Sequence, residues 1–94
     1  LKYKKYSLKI DSREITLLYN KNEIKSIKNE KINFIKFYEK KIKRGVRSNI
    51  PSIAIFDMEK NTFTEMELKI SDYVLLKMYF EKHKMIVKDE FKKI

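Results

Sequence analysis

The chain of 94 residues has no cysteine and no tryptophan, and it contains only one glycine, one proline and one histidine. Without cysteine, the chain can form neither a disulfide framework nor a zinc ribbon, and a reducing cytoplasm is the compatible compartment. No apolar run approaches the roughly 20 residues that a membrane-spanning helix needs, and the N-terminal LKYKKY lacks the apolar core of a signal peptide. We therefore expect a cytoplasmic protein that has no metal site and no membrane partner.

The scarcity of glycine and histidine also limits the catalytic chemistry that the chain can support. Gly45 is the single glycine, so the sequence contains neither a nucleophile elbow nor a glycine-rich loop that cradles phosphate. The paired acids Glu65 and Glu67 are predicted to share the exposed face of one strand, where solvation is their expected role. His83 has no partner constellation. The sequence predicts no enzyme, no cofactor and no small-molecule substrate.

Positive charge is what the chain has in excess, and this charge is unevenly distributed. The formal net charge is +10. Residues 1–50 carry 15 Lys or Arg against 5 Asp or Glu, whereas residues 51–94 carry 8 of each, so the whole excess lies in the first half. Such a one-sided field attracts phosphates or anionic lipids. Nucleic acid is the favoured partner, and a lipid or an acidic protein remains an alternative.

The N-terminal third carries short signals for a strand and two helices. A chain of this length is expected to form one domain with a modest core. YSLKI (Tyr6–Ile10) alternates apolar and polar side chains, which is typical of a half-buried strand. SREITLLYN (12–20) is predicted as a short helix because residues able to cap its first amides stand at its start. In NKNEIKSIKNE (20–30), Ile24 and Ile27 are three residues apart and predict a second short helix.

The segment from Glu30 to Arg44 has the strongest periodic pattern in the chain. Apolar side chains recur at helical spacing on one face, and polar and basic side chains occupy the other. Gly45 is placed to end this helix with a left-handed cap, and the cations before it complement the helix dipole. The apolar face consists of Phe34, Ile35, Tyr38 and Ile42, and the polar face of Asn33, Lys36, Lys40, Lys43 and Arg44.

The second half of the chain predicts a β-hairpin followed by a helix. Apolar side chains alternate within 52–70 on both sides of MEKNT (58–62), which has turn chemistry. In DYVLLKMYFEKHK (72–84), only Lys77 and Glu81 interrupt the apolar surface. A helix that is apolar on almost every side needs more than one packing surface. One surface is expected to face the core, and another to face a second copy of the chain.

This order of elements resembles the winged helix-turn-helix family of DNA-binding proteins. KSIKNEKINFIKFYEKKIKRGV (25–46) is similar to that family's second helix, turn and recognition helix. The resemblance implies an α+β fold with an N-terminal strand, three helices, a β-hairpin wing and a C-terminal helix. It divides the single domain, residues 1–94, into a DNA-binding part (12–44), a wing hairpin (52–70) and a helical dimerisation segment (71–94).

The winged-helix interpretation predicts sequence-specific binding to double-stranded DNA. Cations on the third helix and its exit loop are expected to contact phosphates, and small polar residues at the hairpin tip to contact phosphates or base edges. The expected DNA-binding residues are Asn33, Lys36, Lys40, Lys43, Arg44, Arg47, Ser48, Lys60, Asn61 and Thr62.

The size, charge, lysine-rich composition and apolar C-terminal helix are similar to those of small dimeric winged-helix proteins that bind the origin of transfer of conjugative plasmids. This likeness implies a homodimer that spans repeated DNA boxes or half-sites and acts as an accessory factor or regulator of plasmid transfer. The expected dimer interface consists of Tyr73, Leu76, Met78, Tyr79 and Phe80.

A pleckstrin-like module is the alternative fold. Ile15, Thr16 and Tyr19 are residue types that strands tolerate, so the region up to Tyr38 can also be interpreted as strands, with 72–84 as the closing helix. Such a module is mostly β and binds lipid or protein. Helix content separates the two interpretations, since the winged helix needs far more of it.

Overall fold

The computed structural model describes residues 5–41 and 47–92, and it shows a mostly β protein. Seven strands in two sheets and one α-helix are formed by these residues. The predicted winged helix-turn-helix fold, with three helices before the hairpin, is therefore wrong. The elements are β1 (Tyr6–Ile10), β2 (Glu14–Tyr19), β3 (Asn22–Lys28), a 3₁₀ turn (Asn29–Lys31), β4 (Ile32–Lys41), β5 (Arg47–Asp57), β6 (Thr62–Glu67), α1 (Ile70–Lys82) and β7 (Val87–Asp89).

The first two predicted helices are strands of a hairpin. Asn20 and Lys21 have positive φ angles of 55° and 69°, which is what a two-residue turn between twisted strands requires. The turn joins β2 to β3 and places Ile15 opposite Ile27. β-branched side chains pack well on such a pleated surface. The backbone groups that a helix would have paired internally are paired across the hairpin instead.

The third predicted helix, which was expected to contact DNA, is the long strand β4. Ile35 and Phe37 are fully buried, with 0% exposure, whereas Phe34 and Tyr38 are only partly buried. Burial thus alternates with the period of two that defines a strand. Phe34 and Tyr38 are also four residues apart, so the same spacing fits a helix. Gly45, the predicted helix cap, lies outside the described residues.

Three of the predicted elements are present. The strand Tyr6–Ile10 is β1, the hairpin within 52–70 is formed by β5 and β6, and the C-terminal helix corresponds to α1. The helix ends at Lys82, and the chain continues into β7. This architecture agrees with the mostly β content of the pleckstrin-like alternative.

The two sheets share one hydrophobic core. The first has the order β1-β2-β3, and the second has the order β6-β5-β4-β7, in which β7 runs parallel to β4. A parallel pairing needs a long connection, and here the chain passes through β5, β6 and α1 between β4 and β7. The buried cluster consists of Ile15, Leu17, Ile32, Ile35, Phe37, Ile53, Ile55, Phe63, Tyr73, Phe80 and Phe91.

α1 packs on the inner face of the four-stranded sheet, which is the face toward the core. Tyr73 and Phe80 of the helix have exposures of 0% and 1%. The Tyr73 ring contacts Phe37 and Phe91 edge to face, with centroid distances of 5.2 Å and 4.9 Å. Ring pairs of this geometry contribute about 0.5–1.5 kcal/mol beyond the area that they bury. The inner face is therefore the structural face of this sheet.

Asp89 of β7 ties the last strand to the helix. Its Oδ2 accepts hydrogen bonds from the Tyr73 hydroxyl at 2.6 Å and from Lys77 Nζ at 2.8 Å. Its Oδ1 accepts backbone N–H bonds from Phe91 and Lys92, both at 3.0 Å. Burial by itself raises the pKa of Asp89, but these bonds outweigh burial and hold the pKa below its ordinary value of 3.8. The bond to Asp89 raises the pKa of Lys77, so the pair is charged at neutral pH.

Candidate nucleic-acid interface

The candidate site is the outer face of the four-stranded sheet, opposite to α1. The strand register defines it, because Lys36 of β4 lies between Ala54 of β5 and Lys88 of β7, and Ala54 pairs with Glu65 of β6. Residues directly opposite each other in a sheet share a face. The outer face therefore carries Phe34, Lys36, Tyr38, Ser52, Ala54, Phe56, Thr62, Glu65, Glu67 and Lys88.

Aromatic rings and lysines alternate along β4 on the outer face. Phe34 stacks on Phe56 across the strand pair, with ring centroids 4.6 Å apart and ring planes at 24°. Lys88 Nζ lies 4.1 Å from the Phe34 centroid, and Lys36 Nζ lies 5.3 Å from the Tyr38 centroid. At these distances the ring quadrupole attracts the ammonium group. β4 thus presents a ring, a cation and a second ring in turn, and β7 adds a cation above the first ring.

The stacked pair of Phe34 and Phe56 is separate from the core. Neither ring belongs to the buried cluster or to the apolar side chains packed against that cluster. Both rings remain partly exposed. An aromatic cross-strand pair stabilises a sheet by about 0.2–1 kcal/mol, which is a sufficient structural reason for the stack. Its partial exposure also leaves ring surface that a ligand can contact.

Charge on the outer face differs between its two sides. Lys36 and Lys88 are on β4 and β7, whereas Glu65 and Glu67 are on the edge strand β6. Lys36 Nζ lies 3.6 Å from Glu90 Oε1, and the two side chains are 35% and 60% exposed. An ion pair this exposed contributes little and is readily exchanged. A polyanion is therefore expected to lie along β4 and β7, away from β6.

A hydrogen bond bridges β4 and β6 over the middle strand. The Tyr38 hydroxyl donates to Glu65 Oε2. Burial, followed by this bond, raises the pKa of Tyr38 to about 12, so the phenol is neutral at physiological pH. Ser52 and Ala54 of β5 are 2% and 1% exposed although they face outward. These small side chains leave room for the bridge, which holds the Tyr38 ring in place.

The residues predicted to bind DNA do not form one surface. Lys36 is on the outer face, and Asn33 is half-buried near the start of β4. The other predicted DNA-binding residues between 40 and 48 are either at the far end of the sheet or outside the described residues. Lys40, Arg47 and Ser48 are at the far ends of β4 and β5, where only the backbone is described, and Lys43 and Arg44 lie outside the described residues.

The hairpin tip lies at the opposite end of the sheet from those cations. The pairs Ile32–Asp57 and Lys41–Arg47 mark the two ends of the β4–β5 ladder. The 9 steps from residue 32 to residue 41, at about 3.3 Å each, separate these ends by roughly 30 Å. The tip and the cationic end therefore cannot act together as helix and wing. The predicted tip residues are Lys60, Asn61 and Thr62.

The hairpin tip also has a structural reason for its polar residues. Asp57 Oδ1 accepts N–H bonds from Glu59 and Asn61, both at 2.9 Å. Lys60 has a φ angle of 69°. Aspartate at the start of a turn forms such bonds to the residues that follow it. The conformation of the turn thus accounts for this segment without a DNA contact.

The residues predicted for the dimer interface are divided between the core and the surface. Tyr73 and Phe80 are in the core, so a partner cannot reach them. Leu76 and Tyr79 are half-buried, and Met78 is 61% exposed. α1 therefore offers a partner less apolar surface than its sequence indicates, because the sheet and the segment around β7 cover most of it.

Sequence reasoning identified Lys36 but missed the cluster of Phe34, Phe56 and Lys88. A signal for the rings was present, since FIKFY alternates two apolar faces along β4. Lys88 gives no local signal, because it reaches the site through a parallel pairing with Lys36, 88 − 36 = 52 positions away. Such a long-range pairing cannot be inferred from periodicity in a window of the sequence.

Neither a metal-binding cluster nor a membrane-spanning helix is found among residues 5–41 and 47–92. No three acidic, histidine or cysteine side chains in these ranges cluster closely enough to hold a metal ion. No helix in the same ranges is long and apolar enough to cross a membrane. No protein-family model, curated protein or solved structure matches the chain. The outer face is therefore interpreted from its own chemistry.

Proposed function

We propose that the protein binds single-stranded nucleic acid along the β4 and β7 side of the outer face. The observation that carries this proposal is the partly exposed stack of Phe34 and Phe56 with Lys88 above it. Every nucleobase has a π-face, so exposed rings form a stacking platform that tolerates many sequences, while nearby cations neutralise phosphates. Stacking of this kind contributes about 1–3 kcal/mol per base.

A single strand suits this surface better than a duplex. In a duplex the base faces stack on one another, and only base edges are accessible in the grooves. The predicted recognition helix, which would have entered the major groove, is β4, and α1 packs on the core. Unpaired bases are free to stack on rings. The expected role in plasmid transfer depended on the winged-helix resemblance, so it is not part of this proposal.

The two lysines of the outer face supply the phosphate contacts. Lys88 is exposed, and the contact of Lys36 with Glu90 is weak enough to be replaced. The flexible lysine stem lets each ammonium group leave a ring and reach a phosphate. On single strands, log affinity falls with log salt by about 0.7 per neutralised phosphate. Two such contacts predict roughly a sevenfold loss of affinity between about 50 and 200 mM salt.

The proposal involves no catalytic step and keeps the expected cytoplasmic location, where nucleic acid is available. The net charge of +10 supports it, because a positive field raises the rate of encounter with a polyanion.

A lipid- or protein-binding module is the second candidate, favoured by the mostly β architecture with one helix. Binding to an anionic lipid surface depends on charge and on apolar bulk, and leucine supplies that bulk as well as the Phe34 ring does. Dependence on that ring therefore separates the two candidates.

Fluorescence anisotropy with a labelled single strand of about 12 nucleotides tests the role of the rings. Phe34→Leu keeps the apolar bulk and removes the stacking surface, so affinity is expected to fall about fivefold or more. Tyr79→Leu removes a ring from α1, on the other side of the sheet, and is expected to leave affinity unchanged. Equal losses from the two variants contradict the proposal.

The same titration tests the role of the lysines. Lys36→Gln and Lys88→Gln are each expected to weaken binding and to reduce the salt slope by about 0.7. Lys82→Gln makes the same charge change at the end of α1 and is expected to change neither value. No binding at low salt contradicts the proposal. Tighter binding to the matching duplex restores the duplex interpretation, and binding to anionic vesicles alone supports the lipid module.

A further inference from the structure

The three-stranded sheet ends in a strand with an unpaired edge. Among the described residues, β1 has only β2 as a neighbour. An open edge is a template for another chain, and proteins commonly blunt such edges with very short strands, proline, bulges or charged side chains, lysine in particular. β1 pairs with β2 without a bulge, and Lys9 is its only charged residue. We propose that two copies of the protein pair antiparallel along their β1 edges, which joins two three-stranded sheets into one six-stranded sheet.

The backbone groups on this edge belong to alternate residues of β1. Lys5 O accepts a hydrogen bond from Asn20 N at 2.8 Å, and Asp11 N donates to Glu14 O at 3.1 Å. In an antiparallel ladder, residues that bond to the neighbour alternate with residues whose N–H and C=O point away. The odd-numbered residues from 5 to 11 therefore bond toward β2. The residues that present N–H and C=O groups at the free edge are Tyr6, Leu8 and Ile10.

A groove of about 740 Å³ lies beside the free edge, and most of its lining is apolar, although Glu67, Lys69 and Asp72 also line it. β1, the end of β6 and the first half of α1 form its walls. Tyr6 and Leu75 line the groove and are 42% and 65% exposed, while Leu8, Leu68 and Leu76 contribute further apolar surface. A strand added to β1 places alternate side chains over this groove. The pairing therefore removes exposed apolar surface from water.

The strand β1 is complementary to itself in the antiparallel register centred on Leu8. In this register Leu8 faces Leu8 of the second copy, and Tyr6 faces Ile10. Backbone groups at these three positions then bond across the two-fold axis. Lys9 faces Ser7 rather than another lysine, so no like charges meet within the strand pair. Along the whole strand, apolar residues of one copy thus face apolar residues of the other, and polar residues face polar residues.

Opposite charges meet at both ends of this register. Lys5 and Asp11 directly precede and follow β1, and both are exposed. They are equally distant from Leu8, so each Lys5 lies across from Asp11 of the second copy. These contacts offset part of the repulsion between two chains that each carry +10. This self-complementarity is what identifies a second copy of the chain, rather than an unrelated peptide, as the occupant of the edge.

The β1 interface differs from both surfaces discussed above, although its groove shares Leu76 with the predicted α1 interface. It does not use the buried Tyr73 and Phe80 or the exposed Met78 of α1. It lies on the three-stranded sheet, whereas the candidate nucleic-acid site is on the four-stranded sheet. A result that contradicts one of the two proposals therefore leaves the other unaffected. If both hold, a dimer carries two outer faces, and linked binding raises its apparent affinity for a long strand.

Amide hydrogen exchange at several protein concentrations tests the interface directly. The amides of Tyr6, Leu8 and Ile10 face solvent in the monomer, and they are expected to become at least about tenfold more protected as the dimer forms. The amides of Ser7 and Lys9 bond to β2 in both states, so they are internal controls. Sedimentation on the same samples measures the fraction of dimer.

Charge reversal provides a second readout. Lys5→Glu places two acids at each end of the interface, and Asp11→Lys places two lysines there. Each variant alone is expected to dimerise about tenfold more weakly or worse. An equimolar mixture of the two is expected to recover dimerisation, because each end then pairs a lysine with an acid. Lys21→Glu makes the same charge change in the β2–β3 turn and should have no effect.

Two results overturn the proposal. The first is a single species of 11.5 kDa at every concentration, with fast exchange at Tyr6, Leu8 and Ile10. The second is a dimer that Met78→Glu splits while these three amides remain unprotected, since that dimer forms through α1.

Discussion

The two faces of the four-stranded sheet use the same strands and similar side chains for different purposes. On the inner face, Ile35 and Phe37 are fully buried beneath α1. On the outer face, Phe34 and Tyr38 remain partly exposed and contact lysines and a carboxylate. A step of one residue along β4 moves a ring from the core to the surface. Aromatic content alone therefore does not mark a core, because the pleat and the neighbouring strands decide what each ring contacts.

The largest expected difference between the faces is in stability. Phe37→Ala is expected to lower the free energy of unfolding by about 3–5 kcal/mol, because it leaves a cavity beneath α1. Phe34→Leu is expected to lower it by less than about 1 kcal/mol, since a partly exposed apolar side chain replaces another. Urea denaturation measures both values. Similar losses for the two variants would show that the outer rings are part of the core.

A smaller difference in stability is expected between substitutions at two adjacent residues of β7. Asp89 accepts bonds from Tyr73 and Lys77 on the inner side, whereas Lys88 lies over the Phe34 ring on the outer side. Asp89→Asn is expected to cost about 1–3 kcal/mol of stability, because it removes the charge that pairs with Lys77. Lys88→Gln, the matched change on the other face, is expected to leave stability nearly unchanged. Thermal or urea unfolding of both variants at neutral pH checks this prediction.

The contribution of Asp89 also has a defined dependence on pH. Its pKa in the folded protein lies below the ordinary value of 3.8, so its stabilising contribution is present above about pH 4. The contribution is lost as pH falls through the folded-state pKa. Unfolding free energies measured between about pH 5 and pH 2 should therefore fall more steeply for the unmodified protein than for Asp89→Asn. Parallel slopes would assign the acid sensitivity to other groups.

Local patterns predicted the parts of the fold that depend on local chemistry. Alternation in Tyr6–Ile10 predicted β1, and alternation on both sides of Met58–Thr62 predicted the β5–β6 hairpin. The helical pattern after residue 70 predicted α1. β1 and the β5–β6 hairpin were predictable because only a period of two fits them. The outward direction of Lys36 was likewise predictable, since a cation among apolar residues on a periodic segment faces solvent in either a helix or a strand, and its role in binding stays a prediction.

The remaining features depend on pairings that a sequence window cannot contain. In β4, Phe34 and Tyr38 fit both the helical period and the strand period, so only the pairing with β5 decides between them. Asn20 and Lys21 adopt positive φ angles that redirect the chain into a hairpin, although neither residue is glycine. The pairing of β7 with β4 joins segments that are far apart in the chain. These three pairings change three predicted helices into sheets and bring Lys88 to the site.

A map of side-chain chemical shifts of the ¹³C-labelled protein during titration with an unlabelled single strand tests the central claim most directly, because side chains, unlike backbone amides, alternate between the faces of a sheet. The account predicts saturable shifts that are largest at the outer-face residues Phe34, Lys36, Phe56 and Lys88. Shifts at the inner-face residue Phe37 and along α1 are predicted to be much smaller. Saturable shifts concentrated on α1 or on the three-stranded sheet, with the outer face unchanged, would contradict the assignment of nucleic-acid binding to this face.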